Sequence, residues 1–412
     1  MRFLVISIIW LLIDLYCFQA IKTSLQNNNN SFKNTVYIIY WVTDIILISI
    51  ILFLYFSGKI DNSGSKMFSS LFGLMIISLA PKLIITPFLL IEDVIRIGSY
   101  SIHKILSISS SNKVDLTERR RIVSQLSLGL ASIPFVGLIY GVIKGKYNYK
   151  THHVTLKFKD LPKGFDGFKI SQLSDIHSGS FQDKEAVERG IKITNALNSD
   201  LIVFTGDLVN NKAEEMEQCI TTFKKLEAPY GKISILGNHD YGDYAKWDSD
   251  EDKNNNFIRL KEIHKEIGFK LLLNSNTDIT KDNESISIIG VENWGLRGFH
   301  KYGDLNKSVK NIPNSKFKVL LSHDPSHWES ETLNHDKHIH LTLSGHTHGM
   351  QFGIEVPGFI KWSPIQYIYK QWAGAYRKNG KFLYVNRGFG FLGYPGRVGI
   401  MPEITQITLK RG

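Results

Sequence analysis

A chain of 412 residues exceeds one ordinary domain, and two is the expectation. Glycine and proline are not enriched and no repeat of fixed period occurs, which excludes collagen-like and solenoid architectures. The net charge of +11 is uneven: up to Lys150 there are 15 Lys and Arg against 7 Asp and Glu, and beyond it 34 against 31. The basic excess therefore belongs to the N-terminal part. Membrane flanks explain it more simply than nucleic acid, which is not expected as a partner. Cys17 lies in an apolar stretch, so no disulfide to Cys219 is expected.

Residues 1–150 read as a transmembrane helical module with four apolar stretches of membrane-spanning length. They run from Phe3 to Ile21, Val36 to Phe56, Met67 to Ile95 (interrupted at Pro81-Lys82) and Leu126 to Ile143. The first has a basic start at Arg2 but no small-x-small cleavage site, which favours an uncleaved span over a signal peptide. Asp14, Asp44 and Lys82 fall inside the spans. Either they line a substrate or ion path, or they form a structural ion pair between helices, or the third segment is two half-helices broken at Pro81. The loop from Ser101 to Gln125 carries Lys104, Lys113, Arg119, Arg120 and Arg121. The positive-inside tendency makes that loop cytoplasmic and places the following domain on the outer face of a multi-pass cell-membrane protein. Lys144, Lys146 and Lys150 argue the other way.

Residues 151–412 alternate short apolar runs with charged helical stretches, which predicts an α/β sandwich. Buried strands are expected at Lys169–Ser174, Leu201–Gly206, Lys232–Gly237, Phe317–Ser322 and Ile339–Gly345. Helices are expected at Asp183–Asn198, Ala213–Leu226 and Phe257–Ile267. Ile286–Val291, Lys381–Asn386 and Ile404–Lys410 lack intervening helices, and a second, more antiparallel sheet is the expectation.

Each of the five buried strands ends on a possible metal ligand: Asp175 and His177, Asp207, Asn238, His323, then His346 and His348. Strand C-termini form the binding crevice in sheets of this kind. Carboxylate, amide and imidazole donors without thiolate suit two divalent cations and hydrolysis at phosphorus. Alternation predicts one face for Asp175 with His177, and one face for His346 with His348. Gly206 before Asp207 permits a tight turn. A single such residue is ordinarily a satisfied polar group, the reading adopted for His153, His264, His300, His335, His338 and His340.

The ordered series Asp175-x-His177, Gly206-Asp207, Gly237-Asn238-His239-Asp240, Ser322-His323 and Gly345-His346-Thr347-His348 resembles the calcineurin-like metallophosphoesterase family. The similarity runs from about Phe168 to the C-terminus. Leu343–Gly349 and Asn386–Gly390 resemble its membrane-associated bacterial branch. The resemblance implies a double β-sheet sandwich flanked by helices and two metal ions, of Mn, Fe or Zn type. It assigns Asp175, His177, Asp207 and His348 to one metal, and Asp207, Asn238, His323 and His346 to the other. His239 would be the catalytic acid, oriented by Asp240. Asn210 stands where many members carry a further acid.

The activity implied is hydrolysis of a phosphodiester or pyrophosphate by a hydroxide held between the metals, on an envelope or lipid-linked substrate beside the bilayer. Two segments are candidates for specificity. Asp243–Asn256 is either a mobile loop over the metals or a solvated insertion. Phe359–Trp372, rich in aromatics with Lys361 and Lys370, either meets the lipid headgroups or covers the second sheet. Trp294, Arg297 and His300 are further candidates for the pocket wall. The rival reading is a membrane receptor or transporter-like protein with a non-catalytic metal-binding domain.

Overall fold

The computed structural model describes residues 2–57, 66–105, 116–296, 298–356 and 358–412. Two compact units are present: Met1–Asp61 with Ser70–Tyr140, and Asn62–Ser69 with Gly141–Gly412. The second unit begins before the change of texture at Thr151. Tyr147 packs on Phe391 and Tyr149 on Phe389, so the segment after Gly141 already belongs to that unit's core.

The N-terminal unit is built from α1 (Arg2–Ser24), α2 (Asn30–Phe56), α3 (Lys66–Ile105) and α4 (Leu116–Ile143). All four are long and apolar enough to cross a membrane. Their outer faces expose Ile9, Leu12, Ile38, Phe53, Val94 and Ile133, as lipid-facing helices do. Pro81 does not break α3, which continues through Pro81 and Pro87. Proline is tolerated in membrane helices when neighbouring groups re-satisfy the carbonyls it frees. Lys82 Nζ reaches Asp14 at 2.6 Å and Asp44 at 2.5 Å, joining α1, α2 and α3. Nearer the other end of α3, Arg120 of α4 bonds Glu92 at 2.7 Å and Gln19 at 3.1 Å. The structure thus contains interhelical ion pairs at the three intramembrane charges.

The second unit is a two-sheet sandwich. Its strands are β1 (Lys150–Phe158), β2 (Lys169–Leu173), β3 (Leu201–Phe204), β4 (Lys232–Ser234), β5 (Lys270–Leu271), β6 (Ser275–Lys281) and β7 (Glu284–Gly290). They continue with β8 (Phe317–Leu321), β9 (Leu341–Ser344), β10 (Ile354–Val356), β11 (Ile360–Trp362), β12 (Gly374–Lys378), β13 (Lys381–Val385) and β14 (Glu403–Arg411). One sheet has the order β1-β14-β2-β3-β4-β5, the other β12-β13-β9-β8-β7-β6. The second sheet is parallel through β7, β8, β9 and β13 and antiparallel only at its rims. This differs from the more antiparallel sheet expected, and β14 joins the first sheet between β1 and β2. In this second sheet, loops and short helical turns rather than long helices make the parallel crossovers.

Ile170, Leu201, Val203 and Ile233 of one sheet pack against Ile288, Val319, Leu321 and Leu343 of the other. The alternate residues Ile202 and Phe204 face outward, under α5 (Lys184–Ala196), α6 (Ile220–Phe223) and α7 (Asp250–Glu266). The helix expected over Ala213–Leu226 is split. Its start is a short 3-10 turn pinned by the Glu215 carboxylate, which accepts N–H groups of Asn210, Asn211 and Lys212. Helix α7 starts at Asp250, capped by the Ser249 hydroxyl, so half of the supposed loop Asp243–Asn256 is helical. Cys17 and Cys219 are free and buried.

Candidate metal centre

Strands β2, β3, β8 and β9 end side by side, and the chain leaves each of them in a sharp turn. Asp175, His177, Asp207, His346 and His348 all adopt positive φ, between 48° and 71°. Non-glycine residues in this region cost energy and concentrate at functional sites. They lie beyond the strand ends, so turn geometry rather than strand alternation aims these side chains. Gly206 has φ +97°, and a Cβ there would lie 2.5 Å from the Gly237 nitrogen. Only glycine lets the two turns carrying Asp207 and Asn238 close on each other.

The turns bring the donors together in two groups. Ligand atoms of Asp175, His177 and His348 lie within 4.8 Å of one another, as do those of Asp207, His323 and His346. In the first, His177 Nε2 is 3.0 Å from His348 Nε2, which is 3.2 Å from Asp175 Oδ1. In the second, His323 Nε2 is 3.1 Å from Asp207 Oδ2 and 3.3 Å from His346 Nδ1. His346 Nδ1 is 2.9 Å from Asn238 Oδ1. The Asn238 amide nitrogen donates to Tyr244, which turns its oxygen toward this group. Asp207 Oδ2 is also 3.5 Å from His177 Nε2, so one carboxylate oxygen serves both groups. His346 and His348 fall in different groups although only one residue separates them.

These spacings test the fit of a metal. Two donors at right angles on a cation, each about 2.1 Å from it, are about 3.0 Å apart. Nitrogens facing each other at 3.0 Å between carboxylates match that pattern. No lysine or arginine lines the cleft among the described residues.

The electrostatics agree at the ligands other than His323, where burial is outweighed by the Asp207 carboxylate, which pushes the imidazole up. Burial pushes the His177, His346 and His348 imidazoles down, which keeps them neutral. Burial would push the Asp207 carboxyl up, but His323 and His239 outweigh it and hold it well below the usual range. Asp175 is likewise held low, burial being outweighed by His348 and His323. Neutral imidazoles and ionised carboxylates are the forms that bind cations.

His239 lines the same cleft. Its backbone N–H donates to Asp207 Oδ1 at 2.9 Å, and its Nδ1 donates to the Asn210 carbonyl at 2.6 Å. Asp240 does not orient this ring. Its carboxylate accepts backbone N–H groups of Gly237, Asp207 and Leu208 instead. Burial and then the Asp207 charge push Asp240 up to about 7, against those donors.

The remaining cleft wall is apolar: Phe299, Ile365, Ile368 and Leu392, with Tyr369. Trp294 is not part of it, being buried on His327. His300 lies 3.8 Å from Asp243 instead, and Arg297 lies outside the described residues. Two contributors had escaped the motif reading. Tyr369 Oη is 2.9 Å from His346 Nε2, and Asp324 Oδ2 is 3.6 Å from the same nitrogen. Adjacency of Asp324 to His323 was the available signal for one; Tyr369 was marked only as one aromatic of the Phe359–Trp372 segment, not as a neighbour of His346. The loop after β13 closes the site from behind. Phe389 and Gly390 donate to the Ser174 and Asp175 carbonyls, and Arg397 spans the loop by donating to the Arg387 carbonyl at 2.7 Å.

Residues 168–350 match the family described as calcineurin-like phosphoesterase. Residues 1–146 match the one described as the transmembrane domain of a probable calcineurin-like phosphoesterase. An uncharacterized metallophosphoesterase of Bacillus subtilis, YkuE, is 34% identical over 63% of this chain and 85% of its own length. The transmembrane protein with metallophosphoesterase domain of Danio rerio is 26% identical over 66% of this chain and 60% of its own. An uncharacterized metallophosphoesterase of Aquifex aeolicus is 28% identical over 67% of this chain and 98% of its own. Four membrane-length helices, a two-sheet sandwich and a cleft of converging histidines and aspartates thus coincide with sequence kinship over the same residues, and the chain belongs to the calcineurin-like metallophosphoesterases as a membrane-associated member.

Proposed function

We propose that this protein is a membrane-anchored two-cation hydrolase that cleaves a phosphodiester or pyrophosphate, on an envelope or lipid-linked substrate. The observation that carries the reading is the set of donor separations between 2.9 and 3.3 Å around two neighbouring points. Asp175, His177, His348 and Asp207 would hold one cation. Asp207, Asn238, His323 and His346 would hold the other. When bound, such cations supply a water-derived nucleophile at neutral pH and neutralise charge on the phosphoryl oxygens.

The chain's own residues do the rest. His239 keeps its Nδ1 proton in a hydrogen bond to the Asn210 carbonyl, so Nε2 is the free ring nitrogen, which in the imidazolium form would hand its proton to the departing oxygen and leave the neutral ring. Asp207 Oδ1 holds the His239 backbone, so acid and cation ligand share one anchor. Phe299, Ile365, Ile368 and Leu392 restrict water on the substrate side. A receptor with a non-catalytic metal domain needs no proton donor, and the position of His239 in the cleft supports the enzyme. The outer face of the membrane is the favoured side, from the basic residues Lys104 near the end of α3, Lys113, and Arg119 to Arg121 at the start of α4.

The test is turnover of bis(p-nitrophenyl) phosphate by the purified chain with Mn²⁺, beside Asp207→Ala. Activity is expected to collapse in the variant. Equal turnover in both proteins would end the proposal.

A further inference from the structure

Strands β10 and β11 form a two-stranded hairpin outside both main sheets. Its register pairs Ile354 with Trp362, Glu355 with Lys361 and Val356 with Ile360. Paired residues share a face, and faces alternate along the strands. One face is therefore Ile354, Val356, Ile360 and Trp362; the other is Glu355 and Lys361. Ordinary folding would bury the first face and expose the second. Here Trp362 is half-buried and Lys361 is exposed, but the three aliphatic residues are left uncovered and both polar residues bond back to the protein. Glu355 accepts from Arg387 at 2.6 Å. Lys361 donates to the Ala373 carbonyl and lies over the Trp372 ring. Ile354, Val356 and Ile360 are turned out to solvent, as is Phe359 at the hairpin tip, 88% exposed.

Exposed apolar residues are not confined to the hairpin. The chain after β11 exposes Tyr367 and Ile368, and Ile365, Ile368 and Tyr369 line the cleft of the metal centre. The segment is firmly mounted: Ser363 donates to the Gly349 carbonyl at 2.7 Å, beside His348, and Tyr369 meets His346. Exposed apolar side chains thus occur both at the hairpin tip, on Phe359 and Ile360, and near the mouth of the cleft, on Tyr367 and Ile368. Exposed apolar patches of this kind mark an interaction site. A bilayer is the one apolar partner that the chain's own four membrane-length helices guarantee nearby. Exposed Lys370 in the same segment suits a surface with anionic headgroups.

We infer that the β10–β11 hairpin inserts its outward apolar face into the lipid headgroup region, with Phe359 as the deepest residue, so that the segment from Ile360 to Ile368 conducts a lipid-borne phosphoester from the bilayer to the metal centre. The delivery step rests on the phosphoesterase reading; insertion of the hairpin does not.

The full chain carrying Phe359→Cys, labelled with a polarity-sensitive fluorophore, is reconstituted in vesicles of phosphatidylcholine and phosphatidylglycerol. A labelled Lys192→Cys chain, substituted on exposed α5, serves as control. Nitroxide on the upper acyl chain should quench the label at 359 and not that at 192, while aqueous iodide should do the reverse. Quenching at 359 by iodide alone overturns the inference, and so does protection from both quenchers, which would mean a protein or a second copy on this face. In a second arm, Phe359→Asp with Ile360→Asp should cleave soluble bis(p-nitrophenyl) phosphate as the unaltered chain does. It should lose at least about tenfold on a phosphodiester lipid in vesicles. Equal activity on both substrates refutes delivery. If the unaltered chain hydrolyses neither ester, the phosphoesterase reading fails, and the quenching result still decides insertion.

Discussion

The Asp240 carboxylate holds the backbone of Asp207: one oxygen accepts the Asp207 N–H at 2.9 Å and the other accepts that of Leu208 at 2.8 Å. The Gly237 N–H joins the first oxygen at 2.9 Å, so one buried side chain ties together the turns that carry Asp207 and Asn238. Asp240→Asn preserves shape but turns an amide NH₂ toward donors. The expected cost is about 1–3 kcal/mol of stability, with reduced metal content. Thermal denaturation and elemental analysis measure both. An unchanged melting temperature with intact metal would contradict the clamp.

Metal binding should release protons. Burial pushes the His323 imidazole down, but the Asp207 carboxylate 3.1 Å away outweighs it and lifts His323 to about 10. In the metal-free protein His323 is therefore protonated throughout neutral pH, and a cation must displace that proton. The sign follows: affinity falls as pH falls, because protons compete for the same nitrogen. Calorimetry at pH 7.5 in two buffers of different ionisation enthalpy should report about one proton released per chain from this residue. Buffer-independent heats would refute it.

The role of His239 depends on the leaving group. His239→Gln should lower kcat by about 10²–10⁴-fold on an alkyl phosphodiester, whose departing oxygen needs a proton. The loss should be much smaller on the p-nitrophenyl ester, whose phenolate leaves unaided. Metal content should stay near that of the unaltered chain. Equal losses on both esters would argue for a structural role.

Gly390 is a sensitive position outside the ligand motifs. A Cβ there would lie 1.8 Å from the Ile176 carbonyl oxygen, between Asp175 and His177. Gly390→Ala must push the Asp175–His177 turn out of place. The expected result is a folded protein that binds fewer than two metal ions per chain. Circular dichroism and metal analysis distinguish this from global unfolding, and full metal occupancy would count against it.

Lys82 bridges two buried carboxylates inside the helical module. Lys82→Met leaves both acids uncompensated, and about 3–5 kcal/mol of stability should be lost. Adding Asp14→Asn and Asp44→Asn should recover much of it. Thermal unfolding in detergent reads the difference. A triple variant no more stable than Lys82→Met would show that the lysine acts through something other than these acids.

The membrane module and the candidate ligands were legible in the linear chain. Hydropathy over about 20 residues is a local quantity, and the ligand motifs sit at strand ends whose apolar runs are equally local. The sequence therefore carried Asp175, His177, Asp207, Asn238, His323, His346 and His348 as a candidate set before any coordinates. Other features depended on contacts between distant segments. The left-handed turns that aim Asp175 and His177, the backbone clamp of Asp240 and the pairing of β14 with β1 and β2 are long-range hydrogen-bonding choices. So is the exposure of Ile354, Val356 and Ile360 on the β10–β11 hairpin, residues that would ordinarily have been assigned to a core. Which face of a short strand meets protein depends on what that face can bond, and Glu355 found Arg387 from thirty-two positions away. Periodicity names the two faces of such a strand; charges brought near by folding choose between them.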